Sequence, residues 1–345
     1  SPSRGLGDVY KRQLNYRAHR YKEAYDQLPQ NLILGSETAS TVSSRGVYKF
    51  PVEDKKSATY DDHQCSSYDV EACSWSNIPD EDFALADDNH WTIGQFVWTG
   101  FDYLGEPSPY DTNAWPNHSS MFGIIDLASI PKDRYYLYRS VWNKKAETLH
   151  ILPHWTWPGR EGKVTPVFVY TNHPTAELFI NGKSYGKQSK NNSSLKNRYR
   201  LMWIDAVYEP GEIKVVAYNK DGKAVAEKIV RTAGKPHHIE LVSNRNELTA
   251  DGKDLAYITV KVVDKDGNLC PADSRQINFS VKGAGKYRAA ANGDPTNLEQ
   301  FHLPKMHTFN GMLTAIVQSG ETAGEIVLTA KASGVKAGNI RIQTK

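Results

Sequence analysis

The chain has 345 residues, of which 42 are Lys or Arg and 39 are Asp or Glu, giving a net charge of +3. This length predicts two to three domains, at about 150 residues each. No apolar run approaches the roughly 20 residues of a transmembrane helix, so no membrane span is expected. The nearly balanced charge does not favour a nucleic-acid or membrane-surface partner. The 8 Trp, 19 Tyr and 10 Phe residues supply large ring faces, which fill cores and also stack on sugars.

The first thirteen residues, SPSRGLGDVYKRQ, have neither helical nor strand periodicity. They lack the apolar region that follows the basic residues of a signal peptide. The string resembles translated sequencing-adapter read-through, so we expect residues 1–13 to be foreign and natural sequence to begin near Leu14. A natural disordered arm is the alternative. On the first interpretation, part of the natural protein lies upstream.

Residues 14–150 alternate between helical and strand patterns. In chain order the patterns predict a helix, a buried strand, long loops, a second buried strand and a helix, over residues 20–28, 31–36, 51–90, 91–103 and 131–142. Alternation of this kind, with polar strand ends, predicts part of a TIM (β/α)8 barrel. A complete barrel needs about 250 residues, so this segment holds about two strand–helix units and no closed barrel.

From about residue 151, turn signals become frequent and strand patterns replace helical ones. Asn181-Gly182 lies between apolar runs and predicts a hairpin, because a type I′ turn needs positive φ at both central residues. Pro210-Gly211 and Asp221-Gly222 mark further turns. Residues 151–234 are therefore expected to form a small immunoglobulin-like β-sandwich.

A second β-sandwich is expected over residues 235–345, after a linker at Gly234. Strand runs lie on both sides of Asp251-Gly252, a turn follows at Asp266-Gly267, and a late strand covers residues 325–330. The two sandwiches share no convincing sequence repeat. The predicted fold class is thus multidomain, α/β followed by all-β.

The three cysteines, Cys65, Cys73 and Cys270, are too few for a disulfide scaffold. Cys65 and Cys73 can pair only in an oxidising compartment. No cysteine or histidine spacing indicates structural zinc.

Glu37, in Gly35-Ser36-Glu37-Thr38, follows a predicted buried strand. A carboxylate at the carboxyl end of a barrel strand lies where the active site forms. In retaining glycosidases one carboxylate attacks the anomeric carbon and a second protonates the leaving oxygen. A single Glu after a strand is nevertheless more commonly a solvated or ion-paired residue.

Three groups of motifs occur in one order along the chain: LILGSETAST with GQFVWTGFDYLGEPSPY and IIDLASIPKDRYYLYRSVW, then FVYTNHPTAELFINGKSYG, then NGDP followed by FNG. Together they resemble glycoside hydrolase family 2, of the β-galactosidase type. The resemblance covers about residues 14–345. It implies the C-terminal part of the catalytic barrel over 14–150, an immunoglobulin-like domain over 151–234, and the family's C-terminal β-sandwich over 235–345.

The resemblance also implies roles for five residues. Glu37 would be the catalytic nucleophile of a double-displacement mechanism, and Trp98 the platform under the sugar ring. Tyr16, at the end of the preceding strand, would donate to Glu37, with core packing as the alternative. Asp102 and Glu106 would bind sugar hydroxyls or orient their loop. Three other tryptophans would either line outer subsites or pack under long loops: Trp75, Trp91 and Trp115.

One departure from the family pattern concerns the acid/base Glu, which follows an Asn at an earlier strand end. The only Asn-Glu pair here is Asn246-Glu247, inside the second predicted sandwich, so it does not match. General-acid catalysis contributes about 10²–10⁴-fold. We therefore expect this chain to have little hydrolase activity alone.

No cofactor is required by this chemistry. A divalent or sodium ion is compatible with it but has no motif in its support. The acidic and His-containing clusters at residues 61–63 and 87–90 are interpreted as solvated loop charges.

Three functions remain open. The first is a retaining exo-β-glycosidase, a β-galactosidase acting on terminal β-galactosyl residues. The second is another activity of the same family, β-glucuronidase or β-mannosidase; no cationic motif for a sugar carboxylate stands out. The third is a non-catalytic carbohydrate-binding or adhesion protein built from the two sandwiches. Relatives suggest a bacterial source and a periplasmic or extracellular location, and homo-oligomers are possible.

Overall fold

The structure is a computed structural model that describes residues 13–27, 29 and 31–345. Residues 1–12 of the expected foreign segment, and Leu28 at the expected end of the first helix, lie outside the described residues. Gln13, the last residue of the expected foreign segment, begins a strand, and the assignment of residues 1–13 to foreign sequence stays a prediction.

The first part of the chain contains three parallel strands, β1 (Gln13–Asn15), β2 (Ile33–Thr38) and β5 (Thr92–Val97), in the order β1-β2-β5. Helix α1 (Tyr21–Gln27) connects β1 to β2, and helix α2 (Pro79–Asp88) lies between β2 and β5. Both strands predicted here are present, but the second ends at Val97 rather than Tyr103 and is not buried, since Ile93 and Phe96 are 57% and 65% exposed. The strand–helix alternation is confirmed. Its assignment to a barrel stays a prediction.

The helix boundaries follow local chemistry. Helix α2 begins with Pro79, whose missing N–H costs nothing in a first turn, and Asp80, Glu81 and Asp82 follow where the helix dipole favours negative charge. Helix α3 (Asp133–Trp142) begins two residues later than predicted, because Lys132 is extended (φ −84°, ψ 171°) and forms the N-cap.

Residues 51–90 form long loops, as predicted, with α2 and the two-residue strands β3 (Lys55–Lys56) and β4 (Glu71–Ala72). The sequence analysis saw few apolar anchors here, yet residues 64–73 are buried throughout. Several of their polar groups are satisfied internally: Ser67 Oγ donates to the Ser44 carbonyl oxygen at 2.6 Å, and Glu71 accepts from the Ser66 amide at 3.1 Å. Cys65 and Cys73 are buried free thiols and form no disulfide.

The middle part of the chain consists of two antiparallel sheets around a shared core. One sheet has the order β10-β7-β6 and the other β12-β11-β8-β9. Their strands are β6 (Leu149–Leu152), β7 (Val167–Thr171), β8 (Thr175–Ile180), β9 (Lys183–Ser189), β10 (Leu201–Trp203), β11 (Glu212–Tyr218) and β12 (Ala224–Arg231), with the short helix α4 (Leu195–Tyr199) before β10. The predicted hairpin is confirmed: Asn181 and Gly182 have φ of 48° and 79°, and Ile180 pairs with Lys183.

The last part also has two sheets, ordered β13-β15-β19-β17 and β14-β21-β20-β16-β18. Their strands are β13 (His238–Ser243), β14 (Glu247–Leu248), β15 (Leu255–Val263), β16 (Gln276–Gly283), β17 (Gly285–Ala291), β18 (Lys305–His307), β19 (Met312–Ser319), β20 (Gly324–Lys331) and β21 (Gly338–Thr344). Alternate residues of these strands fill one apolar core. Two-sheet packing agrees with the predicted sandwiches, whereas their immunoglobulin-like type stays a prediction.

A buried arginine joins the first and last parts. Arg45 forms a 2.6 Å ion pair with Asp126 and donates to the carbonyl oxygens of Asn292 (2.7 Å) and Phe309 (3.1 Å). Asn292 begins the NGDP motif and Phe309 the FNG motif. A Cβ at Gly293 would overlap the Asp126 carboxylate, so this loop packs closely only with glycine.

None of the helices in the described ranges is long and apolar enough to cross a bilayer.

Candidate active site

Glu37 and Trp98 lie at the same edge of the parallel sheet. Glu37 is the penultimate residue of β2, whose last residue, Thr38, pairs with Val97 at the end of β5. The Trp98 amide donates a 2.8 Å hydrogen bond to the Thr38 carbonyl oxygen. Since carboxyl ends of parallel strands carry the functional side chains of β/α folds, this edge is the candidate active site.

Tyr16 reaches the same edge from β1. Asn15 pairs with Glu37, and the Tyr16 amide donates to the Glu37 carbonyl oxygen at 2.9 Å. Burial raises the pKa of the Tyr16 hydroxyl above its ordinary value, and the Glu37 carboxylate raises it further through its charge and a hydrogen bond. Tyr16 therefore stays protonated at neutral pH and can donate to Glu37.

The strand that carries Glu37 is packed too closely for a side chain at Gly35. A Cβ there would overlap the hydroxyl oxygen of Tyr21 and the methyl group of Thr38. Tyr21 is the buried first residue of α1. Contact between α1 and β2 at Gly35 thus fixes the strand two residues before Glu37.

Trp98 has one packed side and one partly exposed side. It packs against the buried cluster that contains Val42, Cys65 and Tyr110. Tyr103 meets the indole edge to face, with 6.2 Å between ring centroids. An indole held from behind in this way offers a fixed, accessible surface.

Tyr103 was missed by the sequence analysis. Its hydroxyl donates to the Glu106 carboxylate, which links the Trp98 contact to the exposed end of the loop. Glu106 is exposed, and its charge contributes to the raised pKa of Tyr16. An aromatic residue three positions before an acid, in GFDYLGEP, is the signal that could have identified this pair.

Asp102 is placed differently from the other four predicted site residues. Its side chain is only 5% exposed, lies 2.6 Å from Lys132 Nζ and accepts a 2.8 Å hydrogen bond from the Gly123 amide. Burial raises the pKa of Asp102 to about 6, while the Lys132 charge acts in the opposite direction. This setting favours the loop-orienting interpretation over sugar binding. Lys132, whose partner lies 30 residues away in sequence, was not identified beforehand.

The remaining predicted residues lie in several settings. Trp91 is buried and stacks on Tyr25 with 4.5 Å between centroids, whereas Trp75 and Trp115 are exposed. Glu247, of the rejected Asn-Glu pair, forms an ion pair with Lys345 in the last part of the chain.

The acidic clusters are largely engaged by neighbouring side chains. Lys49 pairs with Asp62, Arg198 binds Asp88 at 2.8 Å, and the Tyr199 hydroxyl binds Asp87 at 2.9 Å. In the described part of the chain, no group of three or more His, Cys, Asp or Glu side chains is arranged to hold a metal ion.

Two family profiles match the chain. The profile of glycoside hydrolase family 2 C-terminal domain 5 matches residues 239–341, and that of a domain of unknown function, DUF4982, matches residues 162–226.

Relatives match over nearly the whole chain. The β-galactosidase BoGH2A of Bacteroides ovatus is 39% identical over 340 residues, which cover 96% of this chain and 38% of that protein. A putative β-glucuronidase of Formosa agariphila is 34% identical over 261 residues, covering 72% of this chain and 24% of that protein. The chain therefore spans well under half the length of these relatives.

The fold matches solved structures as well. A β-glycosidase from Bacteroides vulgatus superposes with a TM-score of 0.84 at 29% identity, covering 98% of this chain and 46% of that one. A glycosyl hydrolase family 2 member from Bacteroides cellulosilyticus gives 0.78 at 28% identity, covering 96% and 42%. Motif order, fold and relatives agree, and the chain belongs to glycoside hydrolase family 2.

Proposed function

We propose that this chain carries the nucleophile and the sugar platform of a retaining exo-β-glycosidase, with Glu37 as nucleophile and Trp98 as platform. The observation that carries the proposal is the placement of Glu37, Tyr16 and Trp98 at the carboxyl ends of three adjacent parallel strands. One carboxylate, one donor to it and one accessible aromatic face are what the nucleophilic side of the first displacement needs.

In the proposed first step, a Glu37 carboxylate oxygen forms a bond to the anomeric carbon. The bond from that carbon to the leaving oxygen breaks, and the leaving oxygen takes its electron pair and a proton from a general acid. In the second step water adds to the anomeric carbon and gives its proton to the same acid/base group. The bond from that carbon to Glu37 then breaks and leaves Glu37 as a carboxylate. Both steps proceed through transition states with positive charge on the sugar, which the Glu37 carboxylate stabilises.

Tyr16 and Trp98 act on this chemistry in different ways. The Tyr16 hydroxyl orients Glu37 and supports its ionised form, since a hydrogen bond to a carboxylate favours the charged state. Trp98 supplies an apolar surface under the C–H face of a pyranose. Glu106 lies on the open side of this arrangement and can accept hydrogen bonds from sugar hydroxyls, whereas Asp102 orients the loop between them.

We further propose that this chain alone is a poor hydrolase of unactivated substrates. No Asn-Glu pair other than Asn246-Glu247 occurs in the sequence, and Glu247 is engaged with Lys345. A substrate whose leaving group needs no proton, such as a dinitrophenyl glycoside, bypasses that requirement in the first step.

A terminal β-galactoside is the proposed substrate. The relative that aligns with 96% of the chain is named a β-galactosidase. β-Glucuronide cleavage is the second candidate, because the next relative is named a putative β-glucuronidase. The other side chains of the candidate site carry no positive charge, which favours a neutral sugar over a uronate; they are Tyr16, Trp98, Tyr103 and Glu106.

The test uses the whole chain with the 2,4-dinitrophenyl β-glycosides of galactose, glucuronic acid and mannose. The proposal expects a burst of dinitrophenol with the galactoside that Glu37→Gln abolishes. Glu247→Gln is the matched control and should behave like the parent chain. A burst with the glucuronide alone would mean that the substrate is a β-glucuronide and not a β-galactoside. Equal, small release by the parent chain and Glu37→Gln would instead favour a non-catalytic binding protein.

A further inference from the structure

A groove of about 820 Å³ separates the loop after the candidate active site from the outer face of a sheet in the last part of the chain. Leu104, Trp115 and His118 form one wall. Leu255, Ile316 and Arg288 belong to the opposite side. The volume falls within the roughly 300–1,000 Å³ of known ligand sites.

The floor of the groove is apolar where solvent-facing sheet surfaces are ordinarily polar. Ala315 and Val317 of β19 are fully buried and face the core, so Ile316 between them points outward. Ile316 pairs with Ala289 of β17 on one side and Tyr257 of β15 on the other. An apolar strip therefore crosses three adjacent strands on their outer face.

Trp115 stands beside this strip with its ring open to solvent. It is 72% exposed and makes no ring contact with another aromatic side chain in the described ranges. Leu104 and Leu298, on the two sides of the groove, are each 54% exposed. Large apolar side chains clustered in one concave surface indicate a binding site.

The polar groups of the groove include side chains that are not engaged elsewhere. A bulge in β17 between Tyr287 and Ala289 leaves Arg288 without a cross-strand partner, and bulges commonly re-aim a side chain. Within the described residues Arg288 forms no ion pair, and Gln300 and His302 form no side-chain hydrogen bond. A free guanidinium, amide and imidazole beside an indole suit a ligand rich in hydroxyl groups.

The groove is continuous with the candidate active site through one loop. Leu104 bridges Ser119, and the Gly105 amide donates to the His118 carbonyl oxygen at 2.8 Å. Neighbouring residues of an extended segment point to opposite faces, so Tyr103 meets Trp98 while Leu104 faces the groove. The His118 amide in turn donates to the Pro295 carbonyl oxygen at 3.1 Å, which holds the two walls together.

We propose that this groove is an accessory glycan-binding site, which holds a neutral oligosaccharide chain on the Trp115 ring with Arg288 bonded to its hydroxyl groups. The choice of a glycan rests on the proposed function, because the loop that forms one wall also forms the candidate active site. Binding here would keep a polymeric substrate near Glu37 without contributing to the reaction.

The experiment is isothermal titration calorimetry of the whole chain with β-1,4-galactotetraose, with circular dichroism to check folding. We expect a Kd of about 1 mM or tighter. Trp115→Ala should weaken binding about tenfold or more, and Trp115→Phe should retain most of it, because stacking needs only the ring. Arg288→Gln should weaken binding, whereas Lys282→Gln, an exposed cation outside the groove, should not.

Glu37→Gln separates this proposal from the proposed function. It should leave unchanged the part of galactotetraose binding that Trp115→Ala removes, even though it removes the dinitrophenol burst. Loss of that part in Glu37→Gln, equal binding by Trp115→Ala and the parent chain, or no binding at all would overturn the accessory site. The accessory site would also be overturned if the chain bound no glycan and instead self-associated in a concentration-dependent way that Trp115→Ala abolished. The groove would then hold a second copy of the chain.

Discussion

The Trp98 amide and the Thr38 carbonyl oxygen are joined by a 2.8 Å hydrogen bond, so the proposed platform is attached to the residue that follows the proposed nucleophile. This bond fixes the relative height of the β2 and β5 ends. Displacement of either strand would change the position of Trp98 relative to Glu37.

Tyr16→Phe should slow covalent reaction at Glu37 without unfolding the chain. The change removes a hydroxyl that lies close enough to Glu37 for the carboxylate to raise the pKa of Tyr16, after burial as the main cause. A hydrogen bond to a charged group is worth about 1.5–3 kcal/mol, so we expect the rate of dinitrophenol release to fall about 10- to 100-fold. Tyr25→Phe, on the neighbouring α1, is the control and should react at the parent rate. Equal rates for both variants would assign Tyr16 to packing alone.

Trp98 requires two substitutions because it both packs and, by proposal, binds sugar. Trp98→Ala should destabilise the chain, since removing a large core aromatic costs about 3–5 kcal/mol when fully buried and less here. Trp98→Phe keeps the packing against the Cys65 and Tyr110 cluster. We expect Trp98→Phe to retain most of the unfolding free energy and to weaken galactose inhibition about tenfold. Unchanged inhibition in a folded Trp98→Phe protein would contradict the platform role.

Asp102→Asn should be strongly destabilising. It leaves the fully buried Lys132 ammonium without its counter-ion, and breaking one side of a buried ion pair costs about 3–5 kcal/mol. The double variant with Lys132→Met should recover part of this loss, because no buried charge is left unpaired. Urea denaturation measures both. A single variant as stable as the parent chain would show that Lys132 is neutral or hydrated, contrary to the ion-pair assignment.

Stability should decrease between pH 5 and pH 8 because of Asp82. Burial raises the pKa of Asp82 to about 7, although a hydrogen bond from the Asn77 amide acts the other way. The unfolded value is near 3.9, so the folded state binds more protons in this interval. That contribution is complete below about pH 4 and is lost as the pH rises through about 7.

Asp82→Asn should remove this contribution to the pH dependence of the unfolding free energy. Between pH 5 and pH 8 this contribution is at most about 3 kcal/mol, two pKa units at 1.36 kcal/mol each. Asp88→Asn, at an exposed helix end, should leave the slope as in the parent chain. An equal change in unfolding free energy between pH 5 and pH 8 in Asp82→Asn and in the parent chain would contradict the assignment.

Local patterns predicted the elements that carry the candidate site. The apolar run before Glu37 and the one before Trp98 each became a parallel strand, because a short apolar run bounded by polar and small residues is typical of a strand. Asn181-Gly182 predicted its hairpin for an equally local reason, the positive φ of both residues.

Features that depend on distant partners were not predictable. Residues 64–73 look like a polar loop in the sequence, yet they are buried. The residues that bind their polar groups, such as Ser44, lie far away in sequence, so no local pattern shows this burial. The Asp102–Lys132 ion pair was not predictable for the same reason, since the sequence around either residue does not show that it will be buried. The exposure of Trp115 was not predictable either, because the sequence around a loop tryptophan does not show whether its ring packs beneath the loop or projects into solvent.

The most direct test of the account is to trap the nucleophile. Incubation of the whole chain with 2,4-dinitrophenyl 2-deoxy-2-fluoro-β-galactoside, followed by peptide mass spectrometry, identifies the residue that forms the glycosyl-enzyme bond. We predict a single modified site at Glu37, absent in Glu37→Gln and retained in Glu106→Gln. Labelling at Glu106, or an unlabelled Glu37 in a chain shown to be folded, would contradict the assignment of Glu37 as the nucleophile.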